Sequence, residues 1–374
     1  MRATIGCVLT LTLMVFTARA QGQQQTLDIY IVDVEGGKAT VFVSPSGESV
    51  LVDTGSPGDR DVERIMAAVT DAGLEQIDYL ISTHYHGDHI GGLQELAKRI
   101  PIRHFLDHGP TVEEQEHVEG FQEAYASLYG KAKHTVVTPG DTVPVAGLEW
   151  RIVTAAGKTL QDPLSGAGQP NPYCDDFEPR ENTGDPENGQ SVGSVVAYGE
   201  FRLIDLGDLL WNNERDLMCP TNPIGTVDLY LTSHHGLDQS GSAVLVHALQ
   251  PRVAITQNGT RKGAAEQTFR ILHASPGLED LWQLHWSHTG GIEYNPAGAF
   301  IANVEEPAAL ATILTTPPPP PGAPRRGRRG PGHTGPAHWI KVSAHADGTF
   351  TVTNSRNDFS KTYPSRSRDR EQNP

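Results

Sequence analysis

The feature that most constrains this chain is the pattern H-x-H-x-D-H, which places His84, His86, Asp88 and His89 close together in sequence. The apolar residues 78–83 before it are typical of a buried strand, and the pattern after it indicates a helix. While the chain remains extended, His84 and His86 project to the same side, whereas Asp88 and His89 turn toward a second point. Because imidazole nitrogens and carboxylate oxygens suit zinc and related divalent ions, the pattern predicts a metal-binding loop between a strand and a helix.

Three further segments place residues of the same chemistry after short apolar stretches. L-V-D-T-G contains Asp53, F-R-L-I-D-L-G-D-L contains Asp208, and D-L-Y-L-T-S-H-H-G contains His234 and His235. In this order, and together with the H-x-H-x-D-H loop, these motifs resemble the metallo-β-lactamase superfamily of metallohydrolases. That resemblance implies an α/β fold of the αββα sandwich type, whereas the periodicity of the chain by itself shows only mixed α and β structure.

A narrower resemblance concerns two more segments. Residues 29–39 and the stretch E-N-G-Q-S-V at 187–192 are similar to motifs of the branch that contains the hydrolase domain of ComEC-type DNA-uptake competence proteins. Most of the superfamily places a further histidine on the first metal ion before the bridging aspartate, and this chain has Asn188 in that region instead. Asn188 is therefore expected to be a weak oxygen ligand, a substrate contact or a turn residue. An enzyme with a single metal ion remains an alternative.

The resemblance also implies a site for two divalent ions, expected to be zinc, with manganese and iron as alternatives. The residues it carries over as ligands are His84 and His86 for the first ion, Asp88 and His89 for the second, Asp208 as the bridge, and either His234 or His235 to complete the second site. Nothing in the sequence decides which histidine of that pair is the ligand.

A mechanism follows from such a ligand set. A water held between two metal ions loses a proton near neutral pH, and the resulting metal-bound hydroxide attacks an electrophilic carbon or phosphorus. The catalytic residues expected from the resemblance are Asp88 or Asp208, which would hold the hydroxide, and His235, which would protonate the leaving group. Asp53 is expected to orient a ligating imidazole from behind.

Several functions compatible with this site compete. We expect a metal-dependent hydrolase acting on an ester, phosphodiester or lactone-type substrate. A β-lactam-hydrolysing enzyme is disfavoured because lactamases of this fold lack an aspartate at the position of Asp208, and a single-iron oxygenase is disfavoured because H-H-G does not match its usual pattern. A non-catalytic metal-binding protein is the remaining alternative. Arg261 and Lys262, in a turn of the second half, are interpreted as a surface loop rather than as a contact for an anionic substrate.

Composition constrains partners and compartment. The net charge of −16 argues against nucleic acid as a partner, although residues 325–329 form a local basic cluster. A charged start, an apolar core and a small-x-small site predict a signal peptide over residues 1–20, hence an exported protein, periplasmic or extracellular. No other apolar stretch is long enough for a membrane span. Cys174 and Cys219 are then expected either to pair as a disulfide or to remain two separate thiols.

The organisation that we expect is one large domain with additions at its end. Residues 26–314 form the metallo-β-lactamase-like domain, and residues 315–337, rich in Pro, Gly and Arg, form a linker. Residues 338–355 alternate around a turn and predict a β-hairpin that returns to the sheet, because a lone hairpin is not stable. Residues 356–374 are expected to be a disordered tail. Oligomeric state is not predicted.

Overall fold

The computed structural model describes residues 26–113, 116–129, 132–181, 185–304 and 337–366. The predicted signal peptide and nearly all of the predicted linker lie outside the described residues. The strands, in chain order, are β1 Thr26–Ile31, β2 Thr40–Val43, β3 Ser49–Val52, β4 Ile77–Ile81, β5 Ile102–Asp107, β6 Lys133–Val136, β7 Thr142–Val143, β8 Glu149–Ala155, β9 Lys158–Thr159, β10 Gln169–Pro170, β11 Gly193–Tyr198, β12 Phe201–Asp205, β13 Thr221–Asn222, β14 Leu229–Leu231, β15 Val253–Thr256, β16 Asp280–His285, β17 Ile301–Asn303, β18 Ile340–His345, β19 Phe350–Asn354 and β20 Ser360–Tyr363. The helices are α1 Asp59–Asp71, α2 Gly87–Ile90, α3 Leu93–Arg99, α4 Glu116–Tyr129, α5 Trp211–Met218, α6 Ala243–Leu249 and α7 Glu266–Ala274.

Two mixed sheets carry almost all of these strands. The first has the order β20-β19-β18-β1-β2-β3-β4-β5-β6, and the second has the order β17-β16-β15-β14-β12-β11-β8-β7, with β9 paired to β8. In the first sheet β3 to β6 run parallel, and in the second β12, β14, β15, β16 and β17 run parallel. Each sheet therefore combines an antiparallel part with a parallel part.

The buried side chains divide into three layers of contact. One cluster lies between the sheets and joins residues such as Ile29 and Val50 of the first to Ile152 and Leu203 of the second. A second cluster packs the other face of the first sheet against α1, α3 and α4, and a third packs the second sheet against α5, α6 and α7. Alternate residues of a strand point to opposite faces, so each sheet can bury both faces in this way. The result is an αββα sandwich, as predicted.

Helix α1 illustrates how the sequence produces the outer layers. Val62, Ile65 and Val69 recur at helical spacing and are buried against the first sheet. Asp61 in the first turn accepts a hydrogen bond from the Ser56 N–H at 2.7 Å, and it is one of two acidic residues that suit the positive end of the helix. The helical spacing of these apolar residues thus accounts for the position of α1 on the outer face of the first sheet.

The C-terminal hairpin returns to the first sheet, where β18 pairs antiparallel with β1 and β19 pairs with β18. The prediction that residues 356–374 form a disordered tail is wrong for its first part, because β20 adds a further antiparallel strand to β19. This strand reads S-K-T-Y, which is polar because only one face of an edge strand needs to be buried. The buried Tyr363 fixes it, with its hydroxyl donating to Asp280 Oδ2 at 2.6 Å.

Two other features bear on the sequence predictions. Cys174 and Cys219 form a disulfide across a sequence separation of 45, near the middle of the chain. No helix within the described ranges is both long enough and apolar enough to cross a membrane.

The parallel strands determine where functional loops meet. In an open α/β sheet, ligands bind outside the carboxyl ends of the parallel strands. Asp53 directly follows β3, the loop with His84 and His86 follows β4, Asp208 follows β12, and the H-H-G segment follows β14. Because these side chains contact one another, the corresponding ends of both sheets lie at the same edge of the sandwich.

Candidate metal centre

The centre is built around the Asp208 carboxylate, which is 4% exposed and lies between histidines from both sheets. Its Oδ2 atom is 3.3 Å from His89 Nε2, 3.3 Å from His235 Nε2, 3.5 Å from His234 Nε2 and 4.0 Å from His84 Nε2. The second oxygen, Oδ1, is buried and has no hydrogen-bond partner among the described residues. Asp208 is therefore placed as the common point of the site, as its expected bridging role requires.

Two pairs of histidine nitrogens face each other around this point. His84 Nε2 lies 3.0 Å from His86 Nδ1, and His89 Nε2 lies 3.3 Å from His235 Nε2. Asp88 Oδ2 is 3.3 Å from His235 Nε2 and 3.7 Å from His89 Nε2. The structure thus brings together all of the predicted ligands, and it places His235 with Asp88 and His89.

The outward ring nitrogens of His84 and His89 are both held by Asp53 and its neighbour Thr83. His89 Nδ1 lies 2.8 Å from Asp53 Oδ2, and a carboxylate can only accept, so Nδ1 carries the proton. The Thr83 hydroxyl donates to Asp53 Oδ2 at 2.8 Å and is 3.1 Å from His84 Nδ1, which leaves it to accept from that nitrogen. Asp53 thus contacts His89 directly and is linked to His84 through Thr83.

The outward nitrogens of the H-H-G pair are also held by oxygen atoms. His235 Nδ1 donates to the Gln257 carbonyl at 3.1 Å. The Ser240 hydroxyl donates to the Leu209 carbonyl at 2.6 Å and lies 3.4 Å from His234 Nδ1, from which it accepts. Both side chains consequently present an Nε2 atom without a proton to the centre when the imidazoles are neutral.

Sequence reasoning missed the partners of His86. Its Nε2 atom lies 3.3 Å from Glu113 Oε1 and 3.4 Å from Asp185 Oδ2, so Nδ1 is left to face His84. Glu113 follows β5 and no motif marks it, whereas Asp185 precedes the E-N-G-Q-S-V segment by two residues. Carboxylates of this kind fix the tautomer and orientation of a ligating histidine.

The turn that carries His234 and His235 is conformationally unusual. Both residues have left-handed backbones, with φ of 51° and 56°, and Gly236 follows with φ of 73°. For residues other than glycine this conformation costs on the order of 1–3 kcal/mol each, and it persists only where the surrounding structure imposes it. The turn directs both imidazoles at Asp208, which a regular continuation of β14 would not do.

The electrostatics of the centre favour a positive charge. Burial by itself would lower the pKa of His89, but the surrounding Asp208, Asp53 and Asp88 carboxylates raise it to about 10. Burial would raise the pKa of Asp208, yet His235, His89 and His234 hold it well below its usual range. Burial and the neighbouring His89 and His86 lower the pKa of His84 well below its usual value. A cation at this point, whether a proton or a metal ion, is therefore stabilised by the carboxylates.

The donor set fits divalent metal ions. When the imidazoles are neutral and each outward nitrogen donates to an oxygen, the inward nitrogens are lone pairs that lie 3.0 Å and 3.3 Å apart, and two lone pairs cannot hydrogen-bond to each other. A metal cation accepts such lone pairs directly, and five imidazoles with two carboxylates suit zinc or a similar ion. Two sets of ligand atoms lie close enough to share an ion: His84, His89 and Asp208, and Asp88, His89 and His235.

The region of the missing histidine is ordered around Glu187. Glu187 accepts hydrogen bonds from the Tyr85 N–H at 3.1 Å and from His108 Nε2 at 2.8 Å, so it ties this segment to the histidine loop. Asn188 lies in a short helical turn and is buried, and its Oδ1 atom has no hydrogen-bond partner among the described residues. An unpaired buried oxygen is compatible with the predicted weak ligand or substrate contact.

Lys262 belongs to the site, contrary to its interpretation as part of a plain surface loop. Its ammonium group forms an ion pair with Asp88 Oδ2, while Arg261 beside it is exposed. His288, another histidine of the second half, stacks on Trp286 and has no contact with the ligand set in the described structure.

Parts of this chain are similar to known proteins in sequence and in fold. A family model described as the metallo-beta-lactamase superfamily matches residues 32–162. A beta-lactamase-like protein 2 homolog from Caenorhabditis elegans is 31% identical over 114 residues, which is 28% of this chain and 38% of that protein. An atrochrysone carboxyl ACP thioesterase from Pseudocercospora fijiensis is 33% identical over 72 residues, which is 19% of this chain and 21% of that protein. Among solved structures, the metallo-beta-lactamase fold protein YhfI from Bacillus subtilis is similar with a TM-score of 0.39 and 14% identity, over 69% of this chain and 95% of that chain.

The matched residues contain Asp53 and the H-x-H-x-D-H loop, so the similarity to the metallo-β-lactamase superfamily includes the first part of the candidate site. The αββα sandwich with its metal-ligand edge is the fold of that superfamily. The chain spans only 38% and 21% of the length of the two curated relatives, so what those proteins do is not transferred with the fold.

Proposed function

We propose that this protein is a metal-dependent hydrolase that cleaves an ester, phosphodiester or lactone-type bond. The observation that carries the proposal is the convergence of imidazole nitrogens and the Asp208 carboxylate, since neutral imidazoles in this arrangement face one another with lone pairs that a metal cation can bind. The chemistry that two divalent ions supply in such a site is an activated water and a polarised scissile bond. The thioesterase among the sequence relatives is compatible with hydrolysis.

The roles of the two adjacent histidines differ in this proposal. His235 donates its Nδ1 proton to the Gln257 carbonyl, so its Nε2 atom is free to bind a metal ion, and it lies with Asp88 and His89. This hydrogen bond favours a ligand role over the proton-donor role expected from the sequence. His234 faces Asp208 from outside those sets, and we assign it to contact with the substrate or its leaving group.

The carboxylates of Asp208 and Asp88 have different roles in this proposal: one holds the site together and the other accepts a proton. Asp208 is buried at the common point and holds both halves of the site together. Asp88 is 29% exposed and lies at the open side, where it can accept the proton of an attacking water. Asp53 and Glu113 keep the imidazoles oriented from behind, as described above.

The same proposal extends to the branch of the superfamily, the identity of the metal ion and the cellular compartment. Similarity to the ComEC-type branch is supported by the E-N-G-Q-S-V segment, whose Ser191 hydroxyl accepts the Asp208 N–H at 3.1 Å. The nitrogen-rich donor set favours zinc over magnesium or calcium. Export to the periplasm or the extracellular medium is supported by the Cys174–Cys219 disulfide, because such bonds persist in oxidising compartments.

The test is a metal count on the purified chain by mass spectrometry, without added salts, followed by assays on a neutral ester, a phosphodiester and a lactone. About two zinc or manganese ions per chain with turnover of one of these substrates is the expected result. A single iron without hydrolysis would replace the proposal by an oxygenase of the same fold. No bound metal after reconstitution would mean that the ligand set does not assemble.

A further inference from the structure

We propose that Lys262 selects an anionic substrate and that the substrate is a small phosphoester. This inference rests on the proposed hydrolase function and narrows its substrate class. It assigns a binding role to a residue that lies outside the ligand motifs.

The position of Lys262 is the first reason. Its ammonium group contacts Asp88 Oδ2, and that oxygen lies 3.3 Å from His235 Nε2. The charge of Lys262 is therefore held at the rim of the centre, one carboxylate away from the ligand nitrogens. The side chain is 38% exposed, so part of the ammonium surface is open toward solvent.

The loop that carries Lys262 is fixed to a ligand. The Ala264 N–H donates to the His235 carbonyl at 3.0 Å, and Gly263 has φ of +84°. A Cβ atom on Gly263 would lie 2.0 Å from the same carbonyl oxygen, so only glycine permits this approach. Within the loop, the Gly259 N–H donates to the Lys262 carbonyl at 2.9 Å. The backbone of Lys262 is thus positioned relative to His235 and does not drift with a surface loop.

The positive charge of Lys262 determines which class of substrate binds more tightly at this position. Lysine binds phosphate as a point charge, and a desolvated charge pair contributes more than a neutral hydrogen bond. In a phosphoester the negative charge lies on oxygens attached to the reacting phosphorus, so recognition and reaction occur at the same place. A neutral ester or lactone offers the ammonium only uncharged oxygen acceptors, which bind it more weakly than a phosphate oxygen does. Because the chain carries a net charge of −16, a long polyanion is repelled, and a small phosphoester is favoured over nucleic acid.

The experiment compares three proteins loaded with metal: the wild type, Lys262→Met and the matched control Arg261→Met, which changes an exposed cation in the same loop. Binding of inorganic phosphate is measured by isothermal titration calorimetry, and metal content is measured by mass spectrometry. Hydrolysis is measured on bis(4-nitrophenyl) phosphate and on neutral 4-nitrophenyl acetate. We expect Lys262→Met to weaken phosphate binding and kcat/KM for the phosphodiester by about tenfold or more, with a clearly smaller loss of acetate hydrolysis and with metal retained. Arg261→Met should change each value by less than about twofold, since an exposed charge pair contributes little.

Other outcomes overturn the assignment. Lost metal in Lys262→Met would mean that the lysine supports Asp88, and equal loss on both substrates or no loss at all would remove its role in selection. If the wild type hydrolyses neither substrate while phosphate binding still depends on Lys262, the hydrolase proposal fails and the anion site stands. If the wild type hydrolyses only the acetate and does not bind phosphate, the hydrolase stands and the anion site fails.

Discussion

Two buried clusters of this protein are built from the same residue types and differ in where their positive charge comes from. The metal centre holds histidines and aspartates at the carboxyl ends of β4, β12 and β14. The second cluster, which we call the ionic cluster, consists of Asp33, Glu35, Arg64 and His285 and joins the loop after β1 to α1 and β16. Both contain histidine and carboxylate atoms close enough to share a metal ion.

The ionic cluster supplies its own cation. Arg64 Nη1 lies 2.8 Å from Asp33 Oδ2, and His285 Nε2 lies 2.5 Å from Asp33 Oδ1. Burial would lower the pKa of His285, but the Asp33 and Glu35 carboxylates raise it above its ordinary value. A guanidinium and an imidazolium therefore neutralise the carboxylates within the chain.

In the metal centre the ion pairs of Asp208, among the described residues, all involve histidines. When their imidazoles are neutral, those histidines turn lone pairs toward Asp208, and no arginine or lysine of the described residues forms an ion pair with it. The comparison teaches that proximity of histidine and carboxylate does not by itself define a metal site. What distinguishes the two clusters is whether an arginine already occupies the place of the ion.

The largest effect should follow the loss of the shared carboxylate. Asp208→Asn keeps the size of the side chain and removes its charge, so we expect hydrolysis to fall by about 10³-fold or more, given that residues which only orient metal ligands contribute about 10–100-fold. Metal content by mass spectrometry should fall in parallel. Asp216→Asn, at an exposed position of α5, is the control and should change neither value. Full metal content in Asp208→Asn would contradict the role of Asp208 as the carboxylate shared by the metal centre.

The second effect should be on stability and not on metal. Arg64→Met removes the guanidinium partner of the buried Asp33, so we expect the free energy of unfolding to fall by about 3–5 kcal/mol. Arg99→Met breaks the exposed pair with Asp59 on the same side of the sheet and should cost less than about 1 kcal/mol. Both are measured by urea denaturation, with metal content as the parallel readout. Loss of metal from folded Arg64→Met, without denaturant, would show that the two clusters are not independent.

The smallest expected effect is on the pH dependence of the free energy of unfolding, which tests the charge of His285 in the ionic cluster. Because the pKa of His285 is raised in the folded protein, the folded state binds more protons than the unfolded state above the ordinary histidine pKa of about 6.5. Stability from this group is thus fully present below that pH and is lost as pH rises through the folded pKa. The difference in unfolding free energy between wild type and His285→Gln should shrink from pH 6 toward pH 9, by about 1.4 kcal/mol for each unit by which the pKa is raised. A difference that is constant over this range would contradict a charged His285.

Much of the fold was predictable because it depends on local patterns. A short apolar run located β4, and alternation around a turn located the C-terminal hairpin, since such patterns reflect which faces of a strand are buried. Polar edge segments gave no such signal, which is why β20 was mistaken for a disordered tail.

The sequence by itself determined the types of ligand, their order along the chain and the strand ends that carry them, because each motif is continuous and tied to a single element. Only the tertiary structure decided which groups meet. Glu113 and Asp185 behind His86, the carbonyl of Gln257 behind His235, and the ion pair of Lys262 with Asp88 across 174 residues all join segments that no local pattern relates. The physical reason is that proton positions on imidazoles and the balance of buried charge depend on the partners that packing brings within about 3 Å, and those partners come from different strands of two sheets.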